Sequence, residues 1–489
     1  MSGFAPRPRV AFLRSLLLTF LTIVGLATPI TALASGISAP RMGAGWASPT
    51  FATPTSMHFN PAVLMSLPGV QLDAAVSLTW AQATYERNRR ATYQRADGLN
   101  FALPLAPADI DPGRSGWQPI STGTVLMPGG SLAIAWRVSD KWALGFSVDP
   151  SYAAILAFPD EGPHAFQMQE VAVLASFLTP TLAFQPTSWL QLGVGVDVVS
   201  GLLSLRQVVD LASTPMLRDA LGEPPISQKN DFGPKAPPGV RELDVLGRAV
   251  TINQADALSW SFKLGATFLP RDDLRIAIAY QHSTPMVFTG DAWLDMNEDL
   301  FTQDLASQGL SYPALVKGKA WVELPLPATF RLGVGWEVTD TFALHAQASW
   351  VRYSAVRDLT VTLQSPDFIQ PQLGLGDTTA ISLARNWVDT VEAELLAVWR
   401  TASGLRFGLR GGYHSPMSPD ATVDLLSIDG HRLIGGLMAR KAWGGFALSA
   451  LLGGHYVLPR TVEASDYDRG NGIYTLTILH ANVGLEWRW

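Results

Sequence analysis

Apolar side chains occupy every second position over long stretches of this sequence. Leu192, Val194, Val196 and Val198 alternate with Gln191, Gly193, Gly195 and Asp197. Trp260, Phe262, Leu264 and Phe268 oppose Ser261, Lys263, Gly265 and Thr267. After the short connection 270–273, Leu274, Ile276, Ile278 and Tyr280 alternate with Arg275, Ala277, Ala279 and Gln281. A period of two gives each segment one apolar face and one small or polar face, so the pair reads as a β-hairpin. Equally tight turns are expected at 138–141, 186–188, 338–341, 400–404 and 440–445. Long connections rich in Pro and Gly separate the hairpins, near 83–128, 207–255, 364–385 and 416–430. About fourteen strands are predicted: 70–82, 129–138, 141–153, 171–186, 188–206, 256–269, 273–293, 316–338, 341–362, 386–400, 404–415, 431–441, 445–460 and 472–489.

Composition decides what these strands face. Hydrophobic residues make up 47% of the chain and charged ones 16%, below the ~25% charge of an ordinary soluble protein. Yet past the N-terminus no apolar run approaches the ~20 residues of a membrane helix; the stretch 446–452 stops at Gly453-Gly454. A bilayer offers no water to backbone groups, so a sheet that spans it must close on itself. Short turns on one side and long loops on the other then describe an outer-membrane barrel with its short side periplasmic. The expected class is all-β, a transmembrane antiparallel β-barrel of about 14 strands. A soluble sandwich or propeller would also alternate, but would not combine that with this loop asymmetry, a leader and an aromatic end. In the last strand Val483, Leu485, Trp487 and Trp489 alternate with Gly484, Glu486 and Arg488, a pattern similar to the signal read by the barrel assembly machinery. Trp136, Trp142, Trp336, Phe342, Trp350 and Trp399 suit interfacial girdles.

Residues 1–34 read as a signal peptide. Arg7, Arg9 and Arg14 precede an apolar core from Leu16 to Leu26, and Ala32-Leu33-Ala34 is a cleavage site. Cutting after Ala34 leaves 455 of the 489 residues. Without the three leader arginines, 32 of the 35 basic residues face 41 acidic ones, a charge of −9 that speaks against a nucleic-acid partner. No cysteine is present, which excludes disulfides and thiolate ligands. No His-x-x-x-His pair, nucleophile elbow or phosphate loop occurs, so neither an enzyme nor a cofactor or metal is expected.

Residues 35–69 break the alternation and are rich in Gly, Ala, Ser, Thr and Pro. Asn60 is a good N-cap and Pro61 suits the first helical position, so a short helix is predicted over Pro61 to Ser66, ended by Pro68-Gly69. An apolar irregular segment ahead of a barrel fits best inside the lumen. Here the sequence resembles the FadL-type transporters of long-chain fatty acids and aromatic hydrocarbons, which begin with a hatch carrying Asn-Pro-Ala. Asn60, Pro61 and Ala62 match that motif at the expected distance from the leader. The hairpin from Trp260 to Gly290, the loop from Leu300-Phe301 to Tyr312-Pro313 and the strand count extend the likeness over nearly the whole chain. The domains implied are a signal peptide at 1–34, a hatch at 35–69 and a barrel at 70–489.

The resemblance implies passive transport of a hydrophobic small molecule. Capture would begin in a groove of two outer loops, with Met216, Leu217 and Leu221 on one short helix and Leu300, Phe301 and Leu305 on another. An internal pocket would follow, against the first hatch residues Ser35, Gly36 and Ile37. Exit would use a kink in the third strand, where Pro150 cannot donate to a ladder. Arg137, Lys263, Arg275, Arg331, Arg406 and Arg410 face inward by alternation, and no choice among them as carboxylate partner is made. A polar-solute porin and a structural or adhesive barrel remain rival readings. Outer-membrane lipid and lipopolysaccharide are the expected surroundings, the basic run 87–90 reads as a solvated face in preference to a lipopolysaccharide contact, and a monomer is the expected state.

Overall fold

The computed structural model describes residues 45–88, 92–94, 100–102, 120–160, 162–165, 167–210, 247–297, 311–369, 371, 376–465 and 470–489. Fourteen antiparallel strands close into one barrel. They are β1 (Val70–Arg87), β2 (Ile120–Arg137), β3 (Trp142–Ala157), β4 (Glu170–Thr187), β5 (Leu190–Asp210) and β6 (Gly247–Arg271). Four strands each come in two pieces: β7 (Leu274–Gln281, Val287–Asp295), β8 (Leu315–Glu323, Thr329–Thr339), β9 (Phe342–Val351, Asp358–Gln364) and β10 (Thr378–Ala384, Thr390–Arg400). The circuit ends with β11 (Leu405–His414), β12 (Arg432–Trp443), β13 (Phe446–Val462) and β14 (Gly472–Arg488). β14 pairs back onto β1 from Gln71↔Arg488 to Arg87↔Gly472, leaving the sheet no free edge there.

The period of two becomes a wall with two chemistries. Leu192, Val194, Val196 and Val198 face outward, whereas Gln191 and Asp197 are buried inside. The tight turns carry an aromatic belt, with Trp136, Trp142, Trp189, Trp336, Trp399, Trp443 and Trp489 all exposed, as membrane interfaces favour. The interruptions of β7 to β10 fall at matching heights, because Thr329 pairs with Gln281 and with Val351, and Val351 with Thr390. Pro285, Pro325 and Pro327 lie in two of these gaps, where their missing N–H groups break the ladder.

Several strands overrun the loops expected from sequence. β1 and β2 reach into 83–128, β5 and β6 into 207–255, and β10 into 364–385. Beyond the membrane the outward face no longer needs apolar residues, so alternation fades while backbone pairing continues. The signal peptide lies outside the described residues, as do the groove positions Met216, Leu217, Leu221, Leu300, Phe301 and Leu305 and the hatch positions Ser35, Gly36 and Ile37.

Candidate functional site

Residues 45–69 occupy the lower lumen, and the wall is shaped to receive them. Short 3-10 helices run over Pro54–His58 and Pro61–Ser66. Asn60 caps the second, its Oδ1 accepting from Ala62 N at 3.1 Å, while its Nδ2 donates to Pro49 O at 3.0 Å and to Thr267 Oγ1 on β6 at 2.8 Å. Every polar atom of this fully buried amide is thereby satisfied. Pro61 and Ala62 lie against two glycines of the wall. A methyl group on Gly193 would come within 2.4 Å of Ala62 N, and one on Gly265 within 2.1 Å of Asn60 Oδ1. Below, Met57, Leu64, Met65 and Leu67 pack on Ala133, Ala135, Ala143 and Ala183, small residues that leave room for them. Across the lumen Trp46 and Phe51 pack on Leu396, Val398, Met438 and Leu451.

The third strand departs from the wall. β2 and β3 pair only from Leu132↔Val148 to Arg137↔Ala143. Above that point β3 stays paired to β4, with a register shift between Pro150 and Tyr152. Tyr152, Ala153, Ile155 and Leu156 are all buried, so both faces of the strand are covered after the proline. A strand left in the wall would expose every second residue, so β3 has turned inward. The two strands approach again at the top, where a methyl on Gly123 would sit 2.8 Å from Ala157 O.

Just before the kink lies a buried polar cluster. Lys263 Nζ on β6 is 2.9 Å from Asp197 Oδ1 and 3.2 Å from His58 Nδ1 of the luminal segment. His58 is 3.9 Å from Asp149 and 3.3 Å from Ser151 Oγ, the neighbours of Pro150. Strand parity placed Lys263 inward; its partner Asp197 shows that this cation serves the wall.

A cavity of about 130 Å³ lies between the luminal segment, the kink and the opposite wall. Its lining includes Phe59, Asp149, Pro150, Tyr152, Arg331, Arg410 and Leu451, and also Glu392, Glu394, His414, Arg432, His455 and His480. Of the six inward cations expected, only Arg331 and Arg410 border it. Arg432, His455 and His480 also line it and were not among the residues expected there; nothing in the sequence marks them as neighbours across the lumen. Above the cavity the lumen is apolar, with Phe177, Phe288, Met168, Leu425 and Tyr474 in one cluster. The loop 158–169 folds down onto it: Gln167 Nε2 donates to Tyr474 Oη at 3.2 Å and Leu425 N donates to Gln167 Oε1 at 3.0 Å. In that loop His164 bonds Ser121 Oγ at 2.6 Å and Pro159 O at 2.8 Å, and burial pushes its imidazole down to about 4.

Residues 34–422 match the family model described as outer membrane protein transport protein (OMPP1/FadL/TodX). Among solved structures, a Pseudomonas aeruginosa FadL homologue superposes with a TM-score of 0.70 at 18% identity, covering 94% of this chain and 99% of that one. The Pseudomonas putida toluene transporter TodX gives 0.63 at 14% identity, over 94% and 99% of the two chains. The Ralstonia pickettii toluene transporter TbuX gives 0.59 at 16%, over 89% and 94%. No curated protein sequence matches this chain significantly.

Proposed function

The chain belongs to the OMPP1/FadL/TodX family of outer-membrane transport proteins, and on that premise we propose that it carries hydrophobic small molecules passively across the outer membrane. Toluene is the cargo named for two of the similar structures, and long-chain fatty acids are the cargo class implied by the FadL-type resemblance. A groove of the outer loops, with Met216, Leu217, Leu221, Leu300, Phe301 and Leu305, captures the molecule. Residues 35–69 act as a movable hatch, and the molecule leaves sideways through the wall at Pro150.

The observation that carries this reading is the loss of β2–β3 pairing above Val148, next to a cavity that borders the hatch. A lateral exit keeps an apolar cargo out of the periplasmic water. Burying a ~16-carbon chain is worth on the order of 10 kcal/mol at ~0.8 kcal/mol per methylene, so a static apolar site would release it too slowly. The packed lower lumen argues against an open porin. A staple tests the exit. Met127 on β2 and Ala153 on β3 pack together at the gap, and the chain has no cysteine of its own. Oxidised Met127→Cys/Ala153→Cys should lose uptake of radiolabelled oleate and toluene into cells and regain it on reduction. Uptake indifferent to the staple would eliminate the lateral route.

A further inference from the structure

We propose that the periplasmic foot of the lumen holds a binding site for a phosphate group, with Arg406 at its centre. The site lies apart from the cargo route, so it stands or falls separately from the transport reading.

Strand register builds it. Arg400 on β10, Arg406 on β11 and Arg440 on β12 are direct partners across neighbouring strands, Arg400↔Arg406 and Arg406↔Arg440. All three share inward parity with Val398, Gly408 and Met438, the wall residues against Trp46. They lie two residues below that contact, beside the short turns 401–404 and 444–445, and short turns mark the periplasmic side. Neighbouring strands are about 4.8 Å apart, so three guanidinium side chains stand abreast on one patch of wall. Like charges placed directly opposite one another destabilise a sheet.

The outer two are compensated and the middle one is not. Arg400 pairs with Glu337. Arg440 holds Glu486 through Nε and Nη2, both at 2.6 Å. Arg406 makes no hydrogen bond and no ion pair among the described residues. Arg440, Arg400 and Arg488 press on it most, and the carboxylate that acts on it, Glu486, is already taken. Its side chain is half-buried, yet none of its nitrogens is sealed from solvent, in contrast to Arg400 Nε. Residues 35–44 contain no Asp or Glu that could answer it. Chemistry then selects the ligand. A guanidinium fork takes an oxyanion through paired N–H groups. Arg440 has Nη1 left over beside it, so a tetrahedral anion with three or more acceptor oxygens and two negative charges fits better than a carboxylate.

The test is equilibrium dialysis of the full-length folded barrel in detergent against radiolabelled inorganic phosphate. It is run at pH 8 and about 0.15 M sodium chloride, where loosely held surface ions are screened. Binding should saturate at a single phosphate per barrel. Unlabelled phosphate and glycerol 3-phosphate should displace the label, and acetate should need at least about 10-fold more. Glycerol 3-phosphate outranking phosphate would make the source a phosphomonoester, and the reverse a free ion; both uphold the site. Arg406→Gln should weaken phosphate binding by at least about 10-fold, and Arg406→Lys by less, because lysine keeps the charge and loses the fork. Phosphate that does not saturate, or acetate that displaces it as well as phosphate does, overturns the proposal in the natural protein, even should neither variant fold. Undiminished binding to folded Arg406→Gln overturns it as well.

Discussion

Placing a methyl group on Gly193 tests whether the luminal segment is seated by shape. The alanine Cβ would lie 2.4 Å from Ala62 N and from Pro61 C, both backbone atoms that no rotamer change can move aside. Overpacking of this kind costs about 1–3 kcal/mol. The wall is tied on both sides, β5 to β4 and to β6, so the strain falls on the segment. Its displaced population should then rise between about 5-fold and 150-fold. Met65, at 1% exposure, is the reporter: as Met65→Cys in a chain without natural cysteines, its maleimide labelling rate follows the displaced fraction. Gly193→Ala should accelerate labelling by that factor and raise single-channel conductance in planar bilayers. Gly435→Ala is the control, because nothing lies within 4 Å of its Cβ position, and it should leave both unchanged. Equal labelling in Gly193→Ala and the control would refute the seating argument.

Other consequences follow from the same contacts. Asn60→Ala removes a helix cap and two buried hydrogen bonds, a loss of about 2–4 kcal/mol; in Gly193→Ala the added effect on Met65→Cys labelling should be smaller, since both act on one contact. Lys263→Met leaves Asp197 buried without its cation and should destabilise the barrel by about 3–5 kcal/mol in urea unfolding from detergent, with Asp197→Asn in the same chain restoring part of it. His164 is held neutral, with its folded value near 4 against an ordinary 6.5. The docking of loop 158–169 is therefore fully stable above pH 6.5 and loses up to about 3 kcal/mol as pH falls toward 4. Proteolysis of that loop should quicken at pH 4.5, and His164→Gln should flatten the response. Polar replacements of Leu300 and Phe301 should reduce the lipid that co-purifies with the barrel, measured by mass spectrometry.

Much of the wall was readable because a membrane barrel obeys one simple rule. The hairpin through Trp260 and Tyr280 emerges with the expected faces, since lipid demands apolar residues at alternate positions. Pro150 was read as a place where a ladder can break, because proline lacks the donor whatever surrounds it, and the β2–β3 pairing ends at Val148, two residues before it. Strand ends were not legible: near Ser121 or Asp210 the outward face meets water or polar groups and the pattern loses contrast. The cavity escaped for a different reason. Parity tells which residues point inward but not which ones meet across the lumen, so Arg432 on β12, His480 on β14 and Glu392 on β10 carry no shared mark in the sequence. Lys263 was expected to face inward but its partner was not named; the register of the adjacent strands, with Gly195 opposite Lys263, is what brings Asp197 within reach.

The seat of the luminal segment also constrains the order in which this molecule can be built. Residues 45–69 lead directly into β1, and the seam that closes the cylinder joins β1 to β14, the last strand in the chain. Side chains such as Trp46 and Leu64 are enclosed by walls from β2 to β13 and have no passage through a finished ladder. Filling the interior before the first and last strands meet spares the segment a passage through the mouth of a closed cylinder. A misplaced segment would hold Gly193 and Gly265 away from their neighbours and delay the final pairing, so correct filling of the interior and sealing of the circle become one event.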